Sequence, residues 1–345
     1  MSERKGPVAY APKGGQDGDG PDARRIVRAE ERTEPARRVS LVAWASLLIV
    51  WVVWGSTYLS IRVGDETIPP LVLAAVRFLI AGLIMFPVAW RRAGSAARAA
   101  AGPGAPARRY WPRRAEWLGC AVVGLLLLGA NGAVCFGETT VPSGLTALLI
   151  ATVPLWLLGM DAVLNHARLG LAPVAGLAIG LAGVGLLSGL GGGKTGVSAS
   201  GVVIILIAAA AWALGTIMAR RVRTPASPAL ASAMQLLIGG TVLLVLAAVT
   251  GEFGSFRPSA VSDRSWLALG YLIVVGSIVA FSAYVIAVRM LPTATVATYA
   301  YVNPVIAVLL GTLILNEPVT LGMLAGGVLI VAAVILVVRR SPPAH

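Results

Sequence analysis

Long stretches without a single charged residue dominate the chain. They are Val39–Ile61, Trp117–Gly137, Thr139–Met160, Leu169–Gly193, Thr195–Ala219, Thr224–Gly251, Ser265–Val288, Met290–Asn316 and Pro318–Val338, each at least 21 residues long. A further apolar segment, Ile68–Trp90, is interrupted only by Arg77. A helix needs about 20 apolar residues to cross the hydrocarbon core of a bilayer, so the pattern predicts ten spans. The alternating strands of about ten residues that build a membrane barrel are absent. Helices also satisfy their backbone N–H and C=O groups internally, as lipid requires. The predicted fold class is an all-α integral membrane protein.

Composition agrees with the pattern. Of 345 residues, 57% are hydrophobic and 12% charged, against about 25% charged in a typical soluble domain. The net charge of +13 invites comparison with nucleic-acid binders, but the basic residues flank apolar spans and form no basic face with interleaved aromatics. The lipid bilayer is therefore the expected partner, and nucleic acid is not. With the N-terminus placed in the cytoplasm, 23 of the 28 Lys and Arg fall inside and four outside, leaving Arg77 within a span. By the positive-inside rule, both termini are expected on the cytoplasmic side of a multi-pass plasma-membrane protein. Residues 1–38 mix Gly, Pro and charges with few large apolar groups, and a disordered tail is expected there. The Arg-rich stretch Arg91–Arg114 reads as a cytoplasmic linker. Cys120 and Cys135 share one apolar segment; on a helix their separation is roughly 22 Å, too far for a disulfide.

The two halves can be superposed as sequence. Val141–Leu187 aligns with Leu291–Val337 at a constant offset of 150, matching Pro142 to Pro292, Pro154 to Pro304 and Gly176 to Gly326. Earlier, Thr57 meets Thr216 and Arg62 meets Arg221; after a one-residue slip, Arg77 meets Gln235 and Gly82 meets Gly240. Each half would hold five spans, and an odd number turns the second half upside down in the membrane. The expected organisation is a tail over 1–38, a first five-helix repeat over 39–190, a second, inverted one over 195–338, and a cytoplasmic tail over 339–345.

Several of these residues resemble a family. Trp54-Gly-Ser-Thr-Tyr, then Pro70 and Arg77-Phe78, resemble the opening of the EamA type within the drug/metabolite transporter superfamily. Tyr284, Pro304-Val-Ile-Ala-Val-Leu-Leu-Gly, Asn316-Glu317-Pro318 and a Gly-rich last span resemble its ending. The likeness covers roughly residues 41–338. It implies a ten-helix carrier of inverted repeats, often an exporter of metabolites or amino acids. One position departs. The family commonly has Gly-Glu after the fourth span, where this chain has His166 and Ala167.

Arg77 is the leading candidate for solute contact. A charge inside the membrane is costly and needs compensation, and a cationic group facing a central cavity would hold a carboxylate or phosphate. The alternative is an Arg that snorkels or pairs with a carbonyl between helices. Gln235, its repeat mate, is polar and neutral. Thr295, Tyr299 and Asn303 are spaced by four and would share one helix face. Pro304 would free the carbonyl of Ala300 beside Asn303. Trp54 and Thr57 in the first span, Asn131 in the third and Tyr284 in the eighth complete the candidate substrate-binding set, with interhelical hydrogen bonding as the alternative for each. Gly176-x-x-x-Gly180 and Gly322-x-x-x-Gly326 let helix backbones approach closely. They are read as packing, with self-association through these spans as a further option.

No His-Glu-x-x-His, no Gly-Lys-Ser/Thr loop and no metal-ligand cluster occurs, so neither enzymatic chemistry, nor a cofactor, nor a metal is expected. Glu138 and Asp161 border spans and are read as interfacial acids, which leaves proton coupling unindicated. The expectation is a secondary carrier of a small metabolite, an amino acid or related anion, working outward by alternating access. A non-transporting membrane receptor or scaffold is the competing class.

Overall fold

The computed structural model describes residues 21–101, 110–164, 171–187, 198–296 and 298–340. His166, Ala167 and Lys194 lie outside them. The chain divides into two units, Met1–Val42 and Ala43–His345, and the site lies wholly in the second. No strand occurs among the described residues.

The first helix, α1 (Pro21–Gly64), starts well before the uncharged interval it carries. Its early turns are rich in Ala, Arg and Glu, which are good helix formers, so helix replaces the disorder expected over part of the tail. Helices α2 (Pro70–Ala101) and α3 (Arg114–Glu138) follow. The fourth predicted span divides into α4 (Ser143–Ile150) and α5 (Val153–Leu164). The break precedes Pro154, which has no N–H to donate, and Thr152 Oγ1 donates to the Leu149 carbonyl at 2.7 Å. Next come α6 (Leu171–Leu187), α7 (Ala199–Arg221), α8 (Pro228–Val249) and the single turn α9 (Glu252–Ser255). α10 (Asp263–Tyr271) runs through a π-helical stretch, Leu272–Val279, into α11 (Ala280–Met290). The chain ends with α12 (Thr293–Val296), α13 (Tyr299–Leu315) and α14 (Leu321–Arg340).

Seven helical stretches are long and apolar enough to cross a membrane: Leu41–Gly64, Pro70–Ala100, Arg114–Glu138, Ser143–Leu164, Ala199–Arg221, Pro228–Val249 and Asp263–Met290. The remaining intervals carry α6, α13 and α14, which are shorter as described. Large apolar side chains such as Leu83, Ile207, Leu267 and Leu313 point away from the protein, as they do where lipid is the solvent.

Helices of the first half lie on helices of the second: α2 along α8, α3 along α7 and α8, α6 along α14, and α4 against α13. Small residues set the closest approaches. A Cβ on Gly82 would meet Leu237 Cγ at 2.8 Å, and one on Gly240 would meet Leu79 Cγ at 2.9 Å. Gly82 with Gly240, and Leu79 with Leu237, are repeat mates, so the crossing of α2 on α8 is built twice from the same pair of residues. The glycine-rich α6 and α14 meet each other similarly, with the Gly183 Cβ position 2.9 Å from the Gly326 carbonyl oxygen.

Candidate functional site

A cavity lies among α1, α2, α3, α4, α7 and α13. Its open space is about 520 Å³, of which about 50 Å³ accepts the centre of a water-sized sphere. Trp54, Thr57, Tyr58 and Ile61 of α1 form one wall; Arg77 comes from α2, and Ala130, Asn131 and Val134 from α3. Ile150, Ala208, Trp212, Tyr299 and Asn303 complete the lining. Among the described residues, no Asp or Glu faces this space.

Arg77 is 3% exposed. Its Nε donates to Ser277 Oγ at 3.2 Å, and its guanidinium carbon lies 4.4 Å from the Phe78 ring centroid. Among the described residues, no acceptor lies within hydrogen-bond distance of Nη1. The Ser277 contact comes from the π-helical stretch. A π turn carries one more residue per turn than α and often marks a functional site. Here it brings Gly276 beside Thr57 and Arg77: a Cβ on Gly276 would lie 3.1 Å from Thr57 Cγ2 and 3.7 Å from Arg77 Nη2.

Opposite the guanidinium stands an aromatic cluster centred on Trp54. Its ring lies 5.2 Å from Trp212 and 5.6 Å from Tyr299, both edge-on, and 4.8 Å from Tyr284. Such spacings are favourable beyond simple burial, so the indole is held in one orientation. The Tyr284 hydroxyl bonds Thr216 Oγ1 at 2.6 Å, and Thr57 Oγ1 donates to the Trp54 carbonyl at 2.8 Å. Asn303, with its amide nitrogen toward α1, donates to the carbonyls of Trp51 at 2.9 Å and Tyr299 at 3.2 Å. The amide oxygen then remains as its acceptor.

Of the nine candidates named from sequence, Arg77, Trp54, Thr57, Asn131, Tyr299 and Asn303 line this cavity. Tyr284 backs it by packing on Trp54. Gln235 is buried outside it, with no donor at Oε1. Thr295 belongs to α12, and the helix is interrupted between Val296 and Tyr299; the spacing of four does not carry across that break, and Thr295 stays outside the lining. Sequence reasoning missed Trp212, Tyr58 and Ser277. Trp212 does fall in the span that mates with the first one, which was the available signal for it.

A second, wider recess of about 1000 Å³, counting space open to solvent, lies where α1, α3 and α13 end. Arg62, Asp65, Glu66, Thr139 and Glu317 line it. Glu317 accepts from Ser143 N at 3.0 Å, Ser143 Oγ at 2.8 Å and Gly144 N at 3.3 Å, which caps α4. Glu252 does the same for α2, accepting from Leu71 N at 2.9 Å and Val72 N at 3.1 Å. Helix N-termini carry unsatisfied N–H groups and partial positive charge, so both carboxylates sit where they stabilise. Burial pushes the Asp65 carboxyl well above the usual carboxylate range, with nearby Arg62 opposing the shift.

Apolar helices of spanning length around a polar cavity are the construction of a membrane transporter that handles a small molecule. The chain belongs to the EamA-like transporter family, whose profile matches residues 41–189 and 199–339. It is similar to the inner membrane transporter YedA of Escherichia coli strain K12, with 37% identity over 306 residues, 88% of this chain and 93% of that one. A probable amino-acid metabolite efflux pump of Salmonella typhimurium is 26% identical over 302 residues, 83% of this chain and 91% of that one. One solved crystal structure shares the fold at a TM-score of 0.54 with 22% identity, covering 88% of this chain and 99% of that chain.

Proposed function

We propose that this chain is a secondary carrier of ten spans, arranged as two inverted five-helix repeats, that moves a small carboxylate-bearing metabolite outward across the plasma membrane by alternating access. The observation that carries the reading is Arg77: a buried guanidinium with a free Nη1, facing a narrow cavity whose described wall contains no acid. A carboxylate is the group that a guanidinium recognises best. Trp54, Trp212 and Tyr299 offer flat apolar faces to the rest of the solute, and Asn131 and Asn303 offer polar ones. The inverted repeat is supported by the contacts of α2 with α8 and α6 with α14, elements whose residues align in the sequence superposition. Outward transport, and amino acids as the class to try first, are suggested by the efflux pump of Salmonella typhimurium. The charge bias places both termini in the cytoplasm, and the recess at Glu317 then opens outside.

The test is flux in proteoliposomes. The twenty standard amino acids and simple organic anions are offered to the purified protein, and counterflow is measured. A carboxylate-bearing solute should be transported and Arg77→Gln should lose that transport, while α-amines lacking the carboxylate should not move. Flux of none of these solutes through folded protein refutes the proposal.

A further inference from the structure

The strongest anomaly outside the cavity wall is Glu138. It is fully buried at the end of α3, and no protein donor reaches either carboxylate oxygen. Its backbone carbonyl, by contrast, accepts from Arg62 Nη1. A related contact occurs in the second half, where Arg220, one position before Arg62's counterpart Arg221, donates from Nη2 to the Val288 carbonyl at 3.0 Å. Residue 288 is the mate of 138 at the offset of 150, and its side chain is an apolar, buried Val. Near the related corner of the second half, the fold accommodates a hydrocarbon side chain at Val288. An ionised carboxylate without donors costs several kcal/mol in an apolar setting. The buried carboxyl is therefore costly to keep ionised.

Its position gives it a use. One turn before it on α3, Val134 lines the cavity; the next residue, Thr139, lines the wider recess. On α1, Ile61 lines the first space and Arg62 the second. Glu138 thus lies between the two. The charged groups that act on it are Asp65 and Arg62 at the end of α1, Arg77 of α2, and Glu317 after α13. The titratable Tyr58 of α1 and Cys135 of α3 lie within its reach as well.

We propose that Glu138 is a proton-binding site linked to the anion site at Arg77, so that solute and proton load the protein together. The proposal rests on the carrier reading of the cavity. Arg77 lines the same cavity as Val134, one turn from Glu138, and across so short an apolar separation its positive charge favours a carboxylate over a carboxylic acid. A carboxylate arriving at Arg77 neutralises that cation, and Glu138 then holds a proton more readily. By linkage, a proton on Glu138 strengthens anion binding by the same factor. An inward proton gradient then opposes outward movement of the solute, and export through this site runs on the solute's own gradient.

Two measurements on the full chain in liposomes test this. In pH-difference infrared spectra, the carbonyl band of a protonated carboxyl should vanish in Glu138→Gln and shift in Glu138→Asp, which stands in if the Gln variant fails to fold. In Arg77→Gln that band should persist to a pH higher by about one unit or more. Adding an equimolar mixture of the twenty standard L-amino acids in weak buffer should draw protons from solution with the wild type and not with Glu138→Gln. Overturning results are a band that survives Glu138→Gln, a band indifferent to Arg77→Gln, or proton release in place of uptake. Should the mixture neither bind nor cross the membrane, the carrier reading fails, while the infrared arm still decides whether Glu138 holds a proton that senses Arg77.

Discussion

Removing the Glu317 carboxylate should loosen the molecule where the second half closes on the first. This side chain takes three hydrogen bonds from Ser143 and Gly144, and Ser143 is fully buried. Loss of an N-cap acceptor costs about 0.5–2 kcal/mol, and loss of a negative charge at a helix N-terminus about 0.3–1 kcal/mol more. A buried N–H and hydroxyl left without acceptors add a penalty of about 1–3 kcal/mol. These overlap, so Glu317→Ala should cost about 3 kcal/mol in all. Each 1.4 kcal/mol is a factor of about ten. If half to all of the loss precedes the unfolding barrier, unfolding accelerates about 10- to 100-fold. The chain supplies its own reporters: Cys120 and Cys135 are free thiols, both buried. The rate of maleimide labelling of these thiols in detergent at fixed temperature measures unfolding directly. Glu317→Gln keeps one acceptor oxygen and should fall between wild type and Ala. Labelling of the Ala variant within about twofold of wild type would mean that the cap does not hold the two halves, and the energy assigned here would be wrong.

Three further outcomes follow from particular contacts. Arg77→Lys keeps the charge but loses the planar fork, so the solute concentration for half-maximal flux should rise about tenfold, and Arg77→Gln should raise it about 100-fold; proteoliposome flux measures both, and equal values for all three proteins would refute the assignment. Gly240→Ala places a Cβ 2.9 Å from Leu79 N and Cγ and should destabilise by about 1–3 kcal/mol, read as faster thiol labelling, with Gly82→Ala behaving alike at the mirrored contact. Asp65 holds its proton more tightly in the folded protein than at its ordinary value of 3.8, chiefly through burial. Stability should therefore fall as pH rises above 3.8 through the raised folded value; Asp65→Asn should flatten that slope in labelling rates taken across the range, and an unchanged slope would refute it.

Much of the architecture was legible because lipid imposes a simple rule. A span must be long, apolar and internally bonded, and the uncharged intervals read out where the seven long helices fall. Arg77 stood out for the converse reason, as a charge where charge is costly. Tyr299 and Asn303 were legible from helical spacing and line the cavity, whereas Thr295, at the same spacing, belongs to α12 and lies outside the lining. Trp212 and Tyr58 read as ordinary apolar positions or interfacial aromatics; only the convergence of α1, α7 and α13 gives them a shared cavity. The π-helical stretch that brings Ser277 to Arg77 contains no proline to mark it. Glu138 is the instructive miss. Its neighbours Thr139 and Thr140 signal the end of a span, which suggests an acid at the interface, whereas the fold buries it fully, with Arg62 of another helix on its backbone carbonyl.

The two halves share their backbone contacts but not their chemistry, and the differences gather at one end. Glu252 and Glu317, both from the second half, cap first-half helices there. In the sequence superposition the matching positions are Gly94 and Ala167, neither of which has a side chain that accepts a hydrogen bond. A carrier built from two equal inverted copies would have its inward- and outward-facing states at equal energy. Under the carrier reading the N-cap clasps tilt that balance, since the opposite end joins the halves through the partly exposed Asp161–Arg221 pair at 3.9 Å, and exposed ion pairs contribute about 0–1 kcal/mol. The resting population should then favour the state with the Glu252 and Glu317 end shut, by an amount of the order of the cap energies. A solute leaving at that end has to be bound tightly enough to offset those clasps, because a ligand shifts such an equilibrium only by its difference in affinity for the two states. On the proposed function, Arg77, matched by Gln235 in the other half, would supply that difference.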